Sequence, residues 1–294
     1  MIMTTAPPQL AISPMEQLLL AYARNAPLNW GKYRLINLLW RLAAGENLRR
    51  EAKLLYGGLR LACDLDELIQ RQLYFFGTHF LERGHLDVWQ SLTRTSATIF
   101  DIGANAGIYS LAALAANPRA MLHAFEPTPE IAARLRQTRQ LNNLANLIVN
   151  EAALSDCEGQ ARLVRCDGGG DNGGMNYIVR RTDGDPNELV AMTSLDFYCQ
   201  INQLERIDLI KVDVQGLEAQ VMRGASGLLR DGRIGTVFME LNWAPAGQDC
   251  PADAATRLLD GFGFQFAEID HSPAWRHAGA WLRGHTDIMA RQAE

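Results

Sequence analysis

Ala97-Thr-Ile-Phe-Asp-Ile-Gly-Ala-Asn-Ala-Gly-Ile-Tyr-Ser110 reads as an apolar strand ending on Asp101, a tight turn with Gly103 and Gly107, and the start of a helix. The apolar run from Ile108 to Ala116 has helical length, and a second strand from Arg119 to Glu126 again ends on an acid. Strand, glycine turn, helix, strand and acid is how a doubly wound sheet builds a nucleoside site at the carboxyl ends of its strands. The glycines let backbone approach a ligand, and the second acid can hold both ribose hydroxyls.

The turn says which nucleoside. A dinucleotide turn reads G-x-G-x-x-G and aims helix amides at a pyrophosphate. Here the pattern is Asp101-x-Gly103-x-Asn105-x-Gly107, with an acid in front. Asn105 tolerates left-handed backbone better than most non-glycines. A leading acid is a poor neighbour for a pyrophosphate and a good one for a cation. S-adenosylmethionine carries a sulfonium and an ammonium and no phosphate, so the charge logic favours it over NAD. An NAD-dependent oxidoreductase is disfavoured on the same ground.

The chain resembles the FkbM-type methyltransferases, a family of class I S-adenosylmethionine-dependent enzymes. The resemblance runs from Phe100 to Ser110 through Phe125-Glu-Pro-Thr-Pro129, Ala153-Leu-Ser-Asp156, Leu195-Asp196 and Ile207-Asp-Leu-Ile-Lys-Val-Asp-Val-Gln-Gly-Leu-Glu218, and closes with Gly224-Ala225 and Glu240. It implies an α/β fold: a mostly parallel seven-stranded, Rossmann-like sheet flanked by helices. Asp101, Gly103, Asn105, Gly107 and Glu126 are the expected cofactor contacts. Glu151 to Leu154, with Ala153 among them, should edge the adenine pocket because the third strand ends there. Tyr74-Phe-Phe-Gly-Thr78 occupies a position the family often uses to border the cofactor. One departure stands out: Gln215 sits where the family usually carries Glu.

Composition agrees with a globular enzyme, 48% apolar and 21% charged. No apolar stretch is long enough to span a bilayer, and Met1 to Pro14 lacks the order of a signal peptide. Cys63, Cys157, Cys166, Cys199 and Cys250 are scattered, with no C-x-x-C pair. They read as reduced thiols of a cytoplasmic protein, and a zinc site is not expected. Residues 1–60 carry a net +5 and the remainder −10. An acidic catalytic body argues against a nucleic-acid substrate, which calls for a basic groove.

Two domains of organisation are expected, a helical extension with a bridge over 1–92 and the methyltransferase domain over 93–294. Within the extension, residues 28–42 interleave cations with Trp30, Tyr33 and Trp40. This reads as a membrane-surface helix, or as an amphipathic helix packed on its own domain or on a second subunit in a homodimer. The few cations on its polar face favour packing. Further on, five glycines in Gly168 to Gly174 exclude a strand or helix interior. That segment is either a loop joining two edge strands or a lid over the substrate. A helix from Ala252 to Gly261 and strands at Phe264 to Asp270 and His285 to Ala290 should complete the sheet, with one antiparallel partner at its edge. Trp243, Trp275 and Trp281 are core or interface residues, or an aromatic wall for the acceptor.

The strand Ile207 to Val214 carries the chemistry. Alternation places Lys211 and Asp213 on one face, and a lysine inside a covered strand needs a carboxylate, Asp213 or Asp196. Asp213, Glu240 and His271 are the candidate bases for removing a hydroxyl proton, with His277 and His285 as further histidines. Asp213, Glu240 and Asn242 could offer oxygen ligands to Mg²⁺, although the rest of such a motif is missing. The expected function is O-methylation of a hydroxylated small molecule, such as a sugar, a secondary metabolite or a lipid-linked glycan. The alternative is an inactive cofactor-binding or interaction protein of the same fold.

Overall fold

The computed structural model describes residues 12–26, 30–79, 83–165, 176–179, 188–240, 253–269 and 287–292. The chain begins with a helical hairpin, α1 (Pro14–Asn25) and α2 (Trp30–Ala44). Ser13 caps α1, its hydroxyl accepting from the Glu16 amide at 3.0 Å, with Pro14 at the first helical position. A β-hairpin follows, β1 (Arg49–Lys53) with β2 (Arg60–Asp64), and then α3 (Leu68–Phe76) and α4 (Arg83–Thr93). The extension is therefore helical with a small sheet inside it.

One face of the α1–α2 hairpin packs inward: Leu19, Ala23, Ile36 and Trp40 share a continuous core with Leu111, Leu122 and Leu135. The extension is thus a layer on the main core. The opposite face leaves Leu18, Leu38 and Leu42 exposed at 72%, 74% and 76%. Among the described residues no helix is long and apolar enough to cross a membrane. A buried network ties α1 down. Glu16 accepts from Arg50 Nε at 2.7 Å, from Arg50 Nη2 at 2.9 Å and from the Tyr74 hydroxyl at 2.8 Å. Tyr74, Phe75 and Phe76 accordingly belong to the core under the extension, and Thr78 meets the Tyr56 hydroxyl at 2.6 Å. The expectation that residues 74–78 border the cofactor fails, because that segment's polar groups are spent on joining the extension to the domain.

Strands and helices then alternate: β3 (Thr98–Ile102), α5 (Ile108–Ala116), β4 (Met121–Phe125), α6 (Pro129–Leu141) and β5 (Leu147–Asn150). Next come β6 (Ala153–Ser155), β7 (Gly159–Val164), β8 (Tyr177–Val179), β9 (Leu189–Ser194), α7 (Leu195–Ile201) and β10 (Ile207–Val212). The last elements are α8 (Glu218–Arg223), α9 (Ser226–Arg230), β11 (Ile234–Glu240), α10 (Ala254–Gly261), β12 (Phe264–Glu268) and β13 (Asp287–Gln292). The main sheet runs β12-β13-β11-β10-β3-β4-β5. From β11 to β5 the neighbours are parallel, while β13 is antiparallel to both β11 and β12. The antiparallel strand is thus inserted one place in from the edge, not at the edge itself. The fold is the α/β sheet of a class I methyltransferase, and the order reverses at β3, between β4 and β10.

The buried central strands are apolar on both faces, as a covered parallel sheet requires. Phe100, Ile102, Ile210 and Val212 point to one core, and Ile99 and Leu209 to the other. A second sheet has the order β6-β9-β7-β8. The sequence suggests either a loop joining two strands at the edge of the main sheet or a lid; the flanking strands belong instead to this separate sheet. The loop, residues 168–174, falls outside the described residues.

Candidate active site

At the switch point the chain forms an open cavity, the usual place for a ligand in a doubly wound sheet. Its lining includes Ile102, Gly103 and Asn105 from the β3 turn, Phe125 and Glu126 from β4, and Ala153 and Leu154 beyond β5. Asp213 and Gln215 close it from the end of β10.

The turn is built for close approach. Gly103 has φ +78°, and a Cβ there would lie 1.9 Å from the Asp213 carbonyl oxygen. The Gly103 and Ala104 amides both bond the Phe125 carbonyl, at 3.0 and 2.9 Å, which pins the turn to β4. Asn105 adopts φ +47°, the left-handed conformation its residue type tolerates. Its amide donates to Glu126 Oε2 at 3.0 Å, while the Thr128 amide donates to Oε1 at 2.8 Å. Burial pushes the Glu126 carboxyl up, against the pull of those amides. Glu126 is 5% exposed and its carboxylate is held rigidly at the cavity wall.

Two expected contacts lie elsewhere. Alternation along β3, which continues through Ile102, turns Asp101 away from the cavity. Its carboxylate is buried, accepts from the Ser110 hydroxyl at 2.6 Å, and stands beside Lys211 in register. Burial pushes its carboxyl up, opposed by the Lys211 charge and the Ser110 bond. Gly107, at φ +84°, opens α5, and a Cβ there would come 2.4 Å from Leu135 Cδ1. It serves close packing of α6 on the turn. Sequence reasoning also missed Asn176, Tyr177 and Ile178, which reach the cavity from β8. Their position depends on how the second sheet folds over, and no local pattern marks it.

Lys211 and Asp213 pair as alternation predicts, at 3.1 Å, with Lys211 Nζ also 4.5 Å from the Tyr109 ring centroid. Asp196 is used otherwise: its two oxygens accept the Gly227 and Leu228 amides at 2.7 and 2.9 Å, capping α9. Gln215, at φ +55°, donates from Nε2 to Asp213 Oδ1 at 3.1 Å. The amide thus supports the carboxylate, where a second acid would repel it. Glu240 ends β11 and lies with Lys211 outside the lining of the switch-point cavity. His271, Asn242, His277, His285, Trp243, Trp275 and Trp281 lie outside the described residues. Among the described residues no three His, Cys, Asp or Glu side chains are grouped to hold a metal ion.

Glu218 sits under this turn, accepting from the Gly216 amide at 3.0 Å. Burial raises its carboxyl to about 7, opposed by amide hydrogen bonds and aided by the Asp213 charge. A raised carboxyl stabilises the fold fully below the ordinary value near 4.5, and that stability is lost as pH rises through about 7. Glu218→Gln should therefore be more stable than the wild type at pH 8, by about 3 kcal/mol, and level with it near pH 4.5. Urea unfolding of both proteins across that window checks this. A difference that does not change with pH would place the Glu218 carboxyl in its ordinary range.

The chemistry of this lining suits a nucleoside ligand such as S-adenosylmethionine: a fixed carboxylate at Glu126, apolar walls at Phe125, Ala153, Leu154 and Ile178, and bare backbone at Gly103 beside Asp213. The family model described as Methyltransferase FkbM domain matches residues 101–269. The chain is 33% identical over 159 residues to the 2-O-methyltransferase NoeI of Sinorhizobium fredii, covering 49% of this chain and 64% of NoeI. It is 28% identical over 205 residues to the AMB antimetabolite synthetase AmbE of Pseudomonas aeruginosa, covering 58% of this chain and 10% of AmbE. The matches thus span less than two thirds of either relative. Among solved structures, the Bacillus cereus O-methyltransferase in complex with S-adenosylhomocysteine aligns with a TM-score of 0.41 and 10% identity, covering 96% of this chain and 98% of that one. With the family model covering more than half of its length, this chain belongs to the FkbM methyltransferase family.

Proposed function

We propose that this chain is an S-adenosylmethionine-dependent methyltransferase that methylates a hydroxyl oxygen of a small molecule. The observation that carries the reading is Glu126, a buried carboxylate fixed by two backbone amides at the wall of the switch-point cavity. The name of NoeI supports oxygen as the acceptor atom.

When bound, the cofactor supplies an electrophilic methyl group. The residues of the chain bind, align and keep dry, which is where most of the rate of an in-line displacement arises. Glu126 would hold the ribose, and the apolar lining the base. Asp213, at the cavity wall and bonded to Lys211 and Gln215, would take the hydroxyl proton. Glu240, at the end of β11, would be a second candidate proton acceptor, and His271 a third by sequence.

Calorimetric titration with S-adenosylmethionine and S-adenosylhomocysteine, with NADH as the control, tests this. Both adenosyl ligands should bind and NADH should not. Glu126→Ala should weaken the adenosyl ligands ~10–100-fold, since it removes hydrogen bonds to a charged group. Unchanged affinity in that variant would show that the second-strand acid does not hold the ribose.

A further inference from the structure

The inner face of the α1–α2 hairpin is spent on the core, and its outer face carries apolar surface that the fold does not use. On α1, Met15, Leu18 and Tyr22 are exposed at i, i+3 and i+7; on α2, Leu35, Leu38 and Leu42 repeat the same spacing. Each set forms one stripe on its helix. Two bonds set the helices level. The Ser13 hydroxyl donates to the Ala43 carbonyl at 2.7 Å, and Lys32 Nζ donates to the Ala23 carbonyl at 2.6 Å. Leu18 therefore lies level with Leu38 and Met15 with Leu42, so the two stripes run along the same length of the hairpin. Of the ten large apolar side chains exposed among the described residues, six belong to these stripes. Scattered exposed leucines need no explanation, whereas a concentrated set marks an interaction surface.

Charge says what that surface meets. Glu16 is the one carboxylate in either helix, and it is buried against Arg50. Every exposed residue of α1 and α2 is therefore neutral or cationic. Arg34 and Arg41 flank the α2 stripe, with Arg41 also pairing with Asp66 at 2.8 Å. Residues 1–60 carry +5 against −10 in the remainder. An anionic lipid surface draws a layer of that sign inward and repels the acidic domain behind it, which seats the hairpin face down. Leucines between arginines whose stems reach up to the headgroups are the pattern of helices lying in a membrane interface. A second copy of the chain suits the face less well. A two-fold dimer through it would set two positive layers against each other.

We propose that the outer face of the α1–α2 hairpin docks the protein on an anionic lipid bilayer. Leu18, Leu38 and Leu42 enter the boundary between headgroups and acyl chains, and Arg34 and Arg41 lie among the lipid phosphates. Both helices rest in the plane of the surface, since neither is long and apolar enough to cross it. Docking here does not depend on which ligand the switch-point cavity holds.

Flotation of the full chain with phosphatidylcholine vesicles containing about 30% phosphatidylglycerol, and with phosphatidylcholine alone, tests this. Binding to the anionic vesicles is expected, at least ~10-fold weaker on the neutral ones and falling as salt is added. Leu38→Ser combined with Leu42→Ser should weaken it at least ~10-fold by removing the inserted side chains. The thermal midpoint should stay as in the wild type, because both leucines are exposed in the folded chain. Arg34→Glu provides a second variant, which should lose affinity for the anionic vesicles and not for the neutral ones. The proposal is overturned if the wild type does not float with anionic vesicles, if the variants bind as it does, or if salt has no effect. Sedimentation velocity supplies the remaining arm. A wild-type dimer that the double serine variant loses would assign the face to a second copy instead.

Discussion

Gly103→Ala is expected to abolish measurable S-adenosylhomocysteine binding, a loss of at least ~100-fold. The reason is geometric. Residue 103 sits at φ +78°, where an L side chain is strained, and its Cβ would lie 1.9 Å from the Asp213 carbonyl oxygen. Backbone cannot give way as a flexible side chain can. The Asp213 amide bonds the Ile102 carbonyl at 3.1 Å and the Gly103 amide bonds Phe125 at 3.0 Å, so a shift at residue 103 displaces the ends of β3, β4 and β10 together. Those three ends carry Glu126 and Asp213. Asn105→Gly is the matching control: φ +47° suits glycine, and its amide still reaches Glu126, so binding should remain near the wild-type value. Calorimetry on both variants decides. A Gly103→Ala protein that binds within tenfold of wild type would mean that the turn does not cradle the ligand.

Arg50→Leu should cost about 3–5 kcal/mol of stability, because it strands a buried carboxylate. The Glu16 side chain is 0% exposed and that of Arg50 7%. The pair is bidentate, and the Tyr74 hydroxyl supplies a further bond to Glu16. The Glu16 bond and burial push the Arg50 guanidinium up and the Tyr74 phenol up respectively. Replacing both charges, as Glu16→Met with Arg50→Leu, should recover most of the loss, since buried pairs exchanged for apolar side chains are often neutral. Guanidinium unfolding of the two single variants and the double variant closes the cycle. Equal destabilisation by the double variant would show that the network contributes net stability beyond mutual neutralisation. Because α1 and α2 share a core with α5 and α6, a single cooperative transition is expected in every case.

Much of the sheet was legible because its signals are local. Glycines at fixed spacing, an acid closing each strand and near-continuous apolar runs are written within ten residues of one another. The Lys211–Asp213 pair was legible for the same reason: two residues apart on one strand, they must share a face. Asp101 misled because the same alternation, counted one residue further along β3, turns it to Ser110 and Lys211 instead of the cavity. The motif located the turn, and the strand's last residue settled which side chain faced the ligand. Residues 74–78 misled through position: their neighbours in space are Glu16 and Tyr56, which are distant in sequence.

Period, spacing and turn chemistry are properties of short windows, so the sequence by itself determined the strand–turn–helix units, the parallel centre of the sheet and the place of Glu126 at the end of the second core strand. Tertiary structure alone decided that β13 enters one place in from the edge, that β8 reaches the switch-point cavity, and that His85, Glu240 and Asp287 come together beside Lys211. These are pairings between segments up to two hundred residues apart. They are selected by burial of whole faces, and no local pattern records which partner satisfies them.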